Sequence, residues 1–320
     1  MSDPLKEYRQ RKEYAYRINR VIDYINQHLS EDLTLEGLSQ VASFSPYHFH
    51  RLFHTLVGET LNAYITRLRL EKAAHKLRRN LNLSVTEIAL ECGFSSSSAF
   101  TRAFKLLLNE PPTEYRKRFI PVPSQPPEGE KRYGVPGVPI ESLYPGLAPA
   151  QYARFRDYPF TPRVEQLPAY HVAYIRLIGF TENTFNQNIS RAFDRLALWL
   201  RARDIYTPET LCIGVTYDDT EITEPGKCRY MACFTVPPET RPEGEVGIDD
   251  IRGGKFVSVR IEGEWADYGE HFANTIAYLY GVWFPASGYE PGEGLSYLEK
   301  YYNSKSDKLN MDLSVPVKPA

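Results

Sequence analysis

The chain is poor in sulfur. Its 320 residues include four cysteines and three methionines. Cys92, Cys212, Cys228 and Cys233 form no CxxC pair and no evident disulfide framework, so an extracellular fold stapled by disulfides is not expected. They read as reduced thiols of a cytoplasmic protein. No apolar run approaches the roughly 20 residues of a membrane-spanning helix. The polar start MSDPLKEYRQRKEY is followed by no apolar stretch, so no signal peptide is expected. Catalytic signatures are missing too: there is no GxSxG, no HExxH, no Cys-His constellation and no phosphate-binding loop. An enzyme is therefore not the leading expectation, and no cofactor is implied.

Net charge is also small, −2 overall, but it is unevenly spread. Residues 1–120 carry 18 Lys and Arg against 13 Asp and Glu, a balance of +5; residues 121–320 carry 20 against 27, a balance of −7. A basic front half fits a module that binds a polyanion. Proline is uneven as well, with ten of the 24 falling in 121–162. Proline fixes φ and donates no backbone hydrogen bond, so this stretch reads as a linker between two domains.

The front half contains a repeat. Residues 33–53, LTLEGLSQVASFSPYHFHRLF, are answered about fifty residues later by 83–104, LSVTEIALECGFSSSSAFTRAF. Leu33, Leu35, Leu38, Ala42 and Phe44 match Leu83, Val85, Ile88, Cys92 and Phe94. After a one-residue insertion, Phe49, Arg51 and Phe53 match Phe100, Arg102 and Phe104. The pattern is that of a helix-turn-helix used twice, and the second helix of such a motif can enter a major groove. Thr34, Ser45 and Ser84 are placed to cap helices, and Leu61 to Arg79 has the composition of one long joining helix. His48, His50 and His54 lack a further ligand at zinc spacing, so no metal is expected.

Behind the linker the periods change. Val164–Ile178 reads as one strand, Phe185–Leu200 as a helix, and Leu211–Val215 and Arg229–Val236 as strands. Gly254–Ile261, Tyr268–Trp283, Ser296–Tyr302 and Met311–Val317 repeat that order. The expected fold is multidomain: an all-α double helix-turn-helix domain at 13–120, a Pro-rich linker at 121–162, and an α+β domain at 163–317 of two strand-helix-strand-strand units.

The front segment, closing on Pro112-Thr113-Glu114-Tyr115-Arg116-Lys117, resembles the DNA-binding module of AraC/XylS-type transcription regulators. That resemblance implies groove-facing residues Tyr47, His48, His50 and Arg51 in the first copy. In the second copy it implies Ser97, Ser98, Thr101 and Arg102. Arg51 and Arg102 can each present a bidentate fork to guanine. The rear segment resembles the GyrI-like ligand-binding domain through VEQLPAYHVAYIRLIG at 164–179, Cys228-Arg229-Tyr230, Gly254-Lys255-Phe256-Val257 and Tyr297-Leu298-Glu299-Lys300-Tyr301. It implies a cleft for an amphipathic, cationic small molecule, with Glu299 as the binding carboxylate. Tyr230, Phe256, Trp283, Tyr289, Tyr297 and Tyr301 are the lining candidates. Met231 stands where relatives commonly carry an acidic residue, which favours a less charged ligand. The combined expectation is a transcriptional activator with double-stranded DNA, RNA polymerase and a small-molecule effector as partners. The alternatives are a rear domain that hydrolyses reactive electrophiles, using Glu299 to assist water, or one that binds a protein.

Overall fold

The computed structural model describes residues 4–79, 82–118, 160–179, 185–218, 222–292, 294–302 and 308–319. Most of the expected linker, residues 121–159, lies outside them. The first part is helical: α1 (Pro4–Gln27), α2 (Leu35–Val41), α3 (Pro46–Val57), α4 (Leu61–Arg79), α5 (Val85–Glu91), α6 (Ser97–Leu108) and α7 (Pro112–Lys117). The caps explain the boundaries. Thr34 accepts from the Gly37 N–H, Ser45 from His48 and Ser96 from Ala99, while Ser84 and Glu87 form a reciprocal capping box. The residue inserted in the second copy falls in the turn ahead of α6. There Ser43 (φ 55°) and Gly93 (φ 87°) occupy equivalent left-handed positions.

α4 serves both copies. Its first half, Leu61, Tyr64, Ile65 and Leu68, packs with Phe49 and Phe53 of α3 and Ile18, Val21, Ile22 and Ile25 of α1. Its second half, Leu70, Ala73, Ala74 and Leu77, packs with Ile88 and with Phe100 and Phe104 of α6. Fully burying one such phenylalanine stabilises the fold by about 1.5–3 kcal/mol, so α3 and α6 are firmly seated on one rod. Arg69 of α4 ties the seam, donating to the Leu29 carbonyl at 2.9 Å and the Glu31 carbonyl at 2.6 Å.

The second part is a sheet covered by helices on one face. Its elements are β1 (Arg163–Leu167), β2 (Tyr170–Ile178), α8 (Phe185–Arg201), β3 (Cys212–Thr216), β4 (Arg229–Thr235), β5 (Gly247–Ile251) and β6 (Gly254–Glu264). There follow α9 (Tyr268–Tyr278), β7 (Tyr289–Pro291), β8 (Tyr297–Tyr301) and β9 (Lys308–Pro319). The strand order is β1-β6-β9-β8-β3-β4-β2-β5, antiparallel throughout, with β7 added along β9. The units β2-α8-β3-β4 and β6-α9-β8-β9 meet at the β3–β8 pair, each with its second strand at the seam. The expected double unit is therefore present.

Three details differ from the sequence reading. The stretch 164–178 is two strands, not one: β1 pairs β6 on one edge and β2 pairs β4 and β5 at the other. Pro168 between them has no N–H to continue a ladder. β5 (GIDDI) went unseen because its acidic pair hides the apolar alternation. The helix begun at Tyr268 passes through a π-turn at Leu279–Trp283 and ends at Ser287.

α8 and α9 cover the front of the sheet. The back of β2 and β4 packs on α1 and α4. Asn19, Asp23 and Asn26 share one face of α1 at i, i+4, i+7. Arg176 of β2 donates to Asp23 at 2.5 Å and to the Asn19 side chain at 3.3 Å. Tyr174 donates to the other oxygen of Asp23 at 2.5 Å. Arg229 of β4 donates to Asn26 at 2.8 Å and is ion-paired with Asp218. Thr223, between β3 and β4, donates to Glu71 of α4 at 2.6 Å, and Glu71 accepts from Arg67 at 2.9 Å.

A Cβ added at Gly58 (φ 85°) meets nothing within 4 Å, whereas one at Gly93 (φ 87°) would stand 2.8 Å from Arg69 Nε and 3.0 Å from the Leu29 carbonyl oxygen. Gly58→Ala should cost about 1–2 kcal/mol, the strain of a left-handed alanine. Gly93→Ala should cost more, about 2–4 kcal/mol, because it also displaces Arg69. Urea unfolding of the two variants side by side checks this; equal losses would show that Arg69 does not hold the seam.

Candidate functional site

Two regions gather the side chains of interest. The first is the outer face of α3 and α6. Ser45 and Pro46 start α3 so that Phe49 and Phe53 turn inward, which leaves Tyr47, His48, His50 and Arg51 exposed. Tyr47 is 74% exposed, and the Arg51 guanidinium lies 5.7 Å from its ring centre. His48 also packs edge-on against Phe44 at 4.9 Å, so its ring orientation is set by the turn. On α6, Ser98 and Arg102 are exposed, while Ser97 and Thr101 are half-buried. Among the described residues neither Arg51 nor Arg102 has a carboxylate partner. Each can therefore donate to an external acceptor.

The second region lies at the seam between β3 and β8. Glu299 is 1% exposed, and three phenols hold its carboxylate. Tyr230 donates to Oε2 at 2.9 Å, Tyr301 to Oε2 at 2.6 Å and Tyr268 to Oε1 at 2.8 Å. Burial pushes the Glu299 carboxyl above its ordinary range, opposed by the three hydroxyls, which favour the ionised form. Burial likewise raises all three phenols, so they remain donors. The neighbouring β3 position is Gly214, where a Cβ would collide with the Tyr230 hydroxyl and Glu299 Oε2. Trp265 stacks on Tyr301 with centroids 6.0 Å apart, and Phe193 of α8 meets that ring edge-on at 5.8 Å. The 3-10 turn Trp265–Asp267 and the start of α9 have no side-chain cap.

Of the candidate lining residues, Tyr230 and Tyr301 touch Glu299 directly. Tyr297 is on the same face two residues along β8, packed edge-on against Phe272 of α9 at 5.4 Å. The others are elsewhere. Phe256 projects from the back: Glu299 is paired with Leu313, Leu313 with Val259, and Phe256 lies three residues from Val259. Trp283 and Tyr289 stack on each other at 6.0 Å beyond the end of α9, where they close a core with Val257, Phe284 and Val315. Fifteen residues of helix, about 22 Å at 1.5 Å per residue, separate Trp283 from Tyr268. Met231 also needs correcting. β4 turns it to the back, 3.5 Å from the Arg176 guanidinium, so it does not bear on the charge of a ligand at Glu299.

Tyr268, Trp265 and Gly214 were missed from sequence. Tyr268 stood only as the start of an expected helix and Gly214 only inside an expected strand, and Trp265 fell in neither. Among the described residues no group of three His, Cys, Asp or Glu side chains is arranged to hold a metal ion. No described helix is long and apolar enough to cross a membrane. A shallow cavity of about 330 Å³ at the end of α8, lined by Trp199, Arg203 and Glu243, is separate from Glu299.

The fold is a double helix-turn-helix region followed by a two-unit α+β sheet domain. A helix-turn-helix domain family matches residues 38–118, and the GyrI-like small molecule binding domain family matches residues 160–318. The Transposon Tn10 TetD protein of Escherichia coli is 36% identical over 111 residues, 35% of this chain and 80% of that protein. The uncharacterized HTH-type transcriptional regulator YbfP of Bacillus subtilis is 39% identical over 109 residues, 33% of this chain and 37% of that protein. The chain thus spans little more than a third of the Bacillus relative. A solved transcriptional regulator with an AraC-type DNA-binding domain from Chromobacterium violaceum is 25% identical, covers 34% of this chain and 95% of its own, and superposes with a TM-score of 0.31. The chain belongs to the AraC-type helix-turn-helix transcriptional regulators, with a C-terminal GyrI-like small molecule binding domain.

The raised Glu299 has a consequence for stability. A carboxyl held protonated more tightly in the folded than in the unfolded chain contributes stability at low pH that is lost as pH rises through its folded-state value. Glu299→Gln removes that ionisation. Thermal unfolding of the full chain between about pH 5 and about pH 9 should show the variant gaining on the wild type as pH rises. A constant offset would mean that Glu299 titrates normally.

Proposed function

We propose that residues 13–120 bind double-stranded DNA through α3 and α6, and that residues 163–317 bind an aromatic, cationic small molecule at Glu299. The reading of DNA is carried by one observation: two equivalent helices on one rod each expose an arginine with no carboxylate partner. Tyr47, His48, His50 and Arg51 form the first contact set; Ser97, Ser98, Thr101 and Arg102 form the second. With both helices fixed to α4, a single chain reads two successive major-groove segments, about 34 Å apart on one side of B-DNA. The protein is then an effector-responsive regulator. Its role as an activator that contacts RNA polymerase rests on the family resemblance.

The effector chemistry follows from Glu299. Aromatic faces attract a cation through the ring quadrupole, and a desolvated carboxylate adds opposite charge. Tyr230, Tyr268 and Tyr301 supply the rings nearest the carboxylate, and Trp265 stands at the rim. With Met231 turned away, nothing on β4 argues against a cationic ligand.

Two measurements test these readings. On a duplex selected from a random pool, Arg51→Ala and Arg102→Ala should each lose about 1–3 kcal/mol of discrimination at one half-site, at matched salt. Affinity and preference unchanged in both variants would sink the DNA reading. Rhodamine 6G, an aromatic cation, should bind the full chain with an affinity that rises with pH as Glu299 ionises. Glu299→Gln should weaken it about tenfold or more and flatten the pH dependence. Equal binding by wild type and variant would remove Glu299 from the site.

A further inference from the structure

The two faces of the sheet are linked within single strands. β4 alternates, so Tyr230 reaches the front, where it holds Glu299, while its neighbour Arg229 reaches the back, where it holds Asn26 of α1 at 2.8 Å. Their Cα atoms are about 3.8 Å apart across one peptide. β3 does the same. Gly214 lies under Glu299 at the front, and just past the strand's end Asp218 pairs with Arg229 and accepts from its backbone N–H at 2.6 Å. Tyr230 and Thr216 are directly paired across the two strands.

We propose that the back of this sheet is a docking surface for the DNA-reading region, holding the two domains together independently of the Pro-rich segment, and that β4 carries the state of the Glu299 site to α1. This rests on the reading of Glu299 as the effector site. At the receiving end α1 packs against α3 through Ile22, Ile25, Phe49 and Phe53. A second tie enters α4, where Thr223 donates to Glu71 and the following turns of the helix pack against α6.

The interface is built for one arrangement. Arg176 is 3% exposed and Asp23 17%, and Asp218 beside Arg229 is 1% exposed. Charges this far from water are strongly destabilising when either partner is removed. A rearrangement that keeps this interface closed therefore cannot leave Arg176 and Asp23 unpaired. A change at Glu299 that shifts Tyr230 must either strain the Arg229 contacts or move α1 with them. Among the described residues the Tyr64 hydroxyl of α4, buried at this junction, has no hydrogen-bond partner.

The test uses the full chain with a protease site in place of residues 126–131, folded first and then cut. The cut wild type should run as one species on size exclusion. Asp23→Arg should release the halves, and Asp23→Arg with Arg176→Glu should restore the complex. Halves that part in the cut wild type would overturn the docking surface. Hydrogen exchange on the uncut chain tests the relay. Tyr230→Phe should change protection at residues 19–26 of α1; a change confined to residues 160–319 would overturn it. If Tyr230→Phe reaches α1 but rhodamine 6G neither binds nor alters exchange near Glu299, the relay stands and the effector reading falls.

Discussion

Arg176 and Arg229 stand on the back of the sheet with their guanidinium groups almost wholly removed from water. A buried charge is tolerable only when an opposite charge and further hydrogen bonds satisfy it. Arg229 meets part of that need within its own domain, through Asp218. Arg176 lies within electrostatic reach of Asp249 on β5, but the carboxylate it hydrogen-bonds, Asp23, belongs to α1. The sheet domain thus carries a cation whose hydrogen-bonded counter-charge sits in the other domain. Hydrophobic matching alone would let two surfaces slide. An arginine fork meeting Asp23 and Asn19 at once fixes the register between them.

The same strands set the front. Two strand-helix-strand-strand units meet at the β3–β8 pair, so the residues at the seam belong to neither unit alone. Glu299 comes from one unit; Gly214 and Tyr230 come from the other. The absent side chain at Gly214 allows a carboxylate and a phenol to lie over the same strand. β4 is the strand that turns one residue, Tyr230, to the seam and its neighbour, Arg229, to the other face.

Much of this was legible in sequence where the signal was local and repeated. The two copies of the helix-turn-helix announced themselves by apolar register, and the capping residues Thr34, Ser45 and Ser84 took their expected places. The double unit of the sheet was read from changes in period. What escaped depends on contacts between distant residues. Phe256 was assigned to the pocket by kinship of motif, but side-chain alternation counted from Glu299 through Leu313 sends it to the other face. Met231 was weighed as a pocket residue for the same reason, and its parity with Arg229 turns it toward Arg176. Tyr268 gave no sign of its role, because only folding brings its hydroxyl, 31 positions away in the chain, to Glu299. Asp23 looked like an ordinary polar residue on α1.

The three phenols also decide what Glu299 can select. They already give the carboxylate three short hydrogen bonds, two on Oε2 and one on Oε1, and bonds to an ionised acceptor are roughly twice as strong as neutral ones. A neutral ligand reaching Glu299 can take the acceptor position left on Oε1 or exchange for a phenol, and in either case gains at most one hydrogen bond. A cation changes the balance. In a site walled off from water its attraction to the carboxylate is strong, and the rings that remain add their quadrupoles. On the proposed reading, charge is therefore required at the bottom of the site. The flat aromatic walls impose few directional demands, and the rim at Trp265 lacks a cap to hold it rigid. A site of that proposed kind is strict about charge and tolerant of shape.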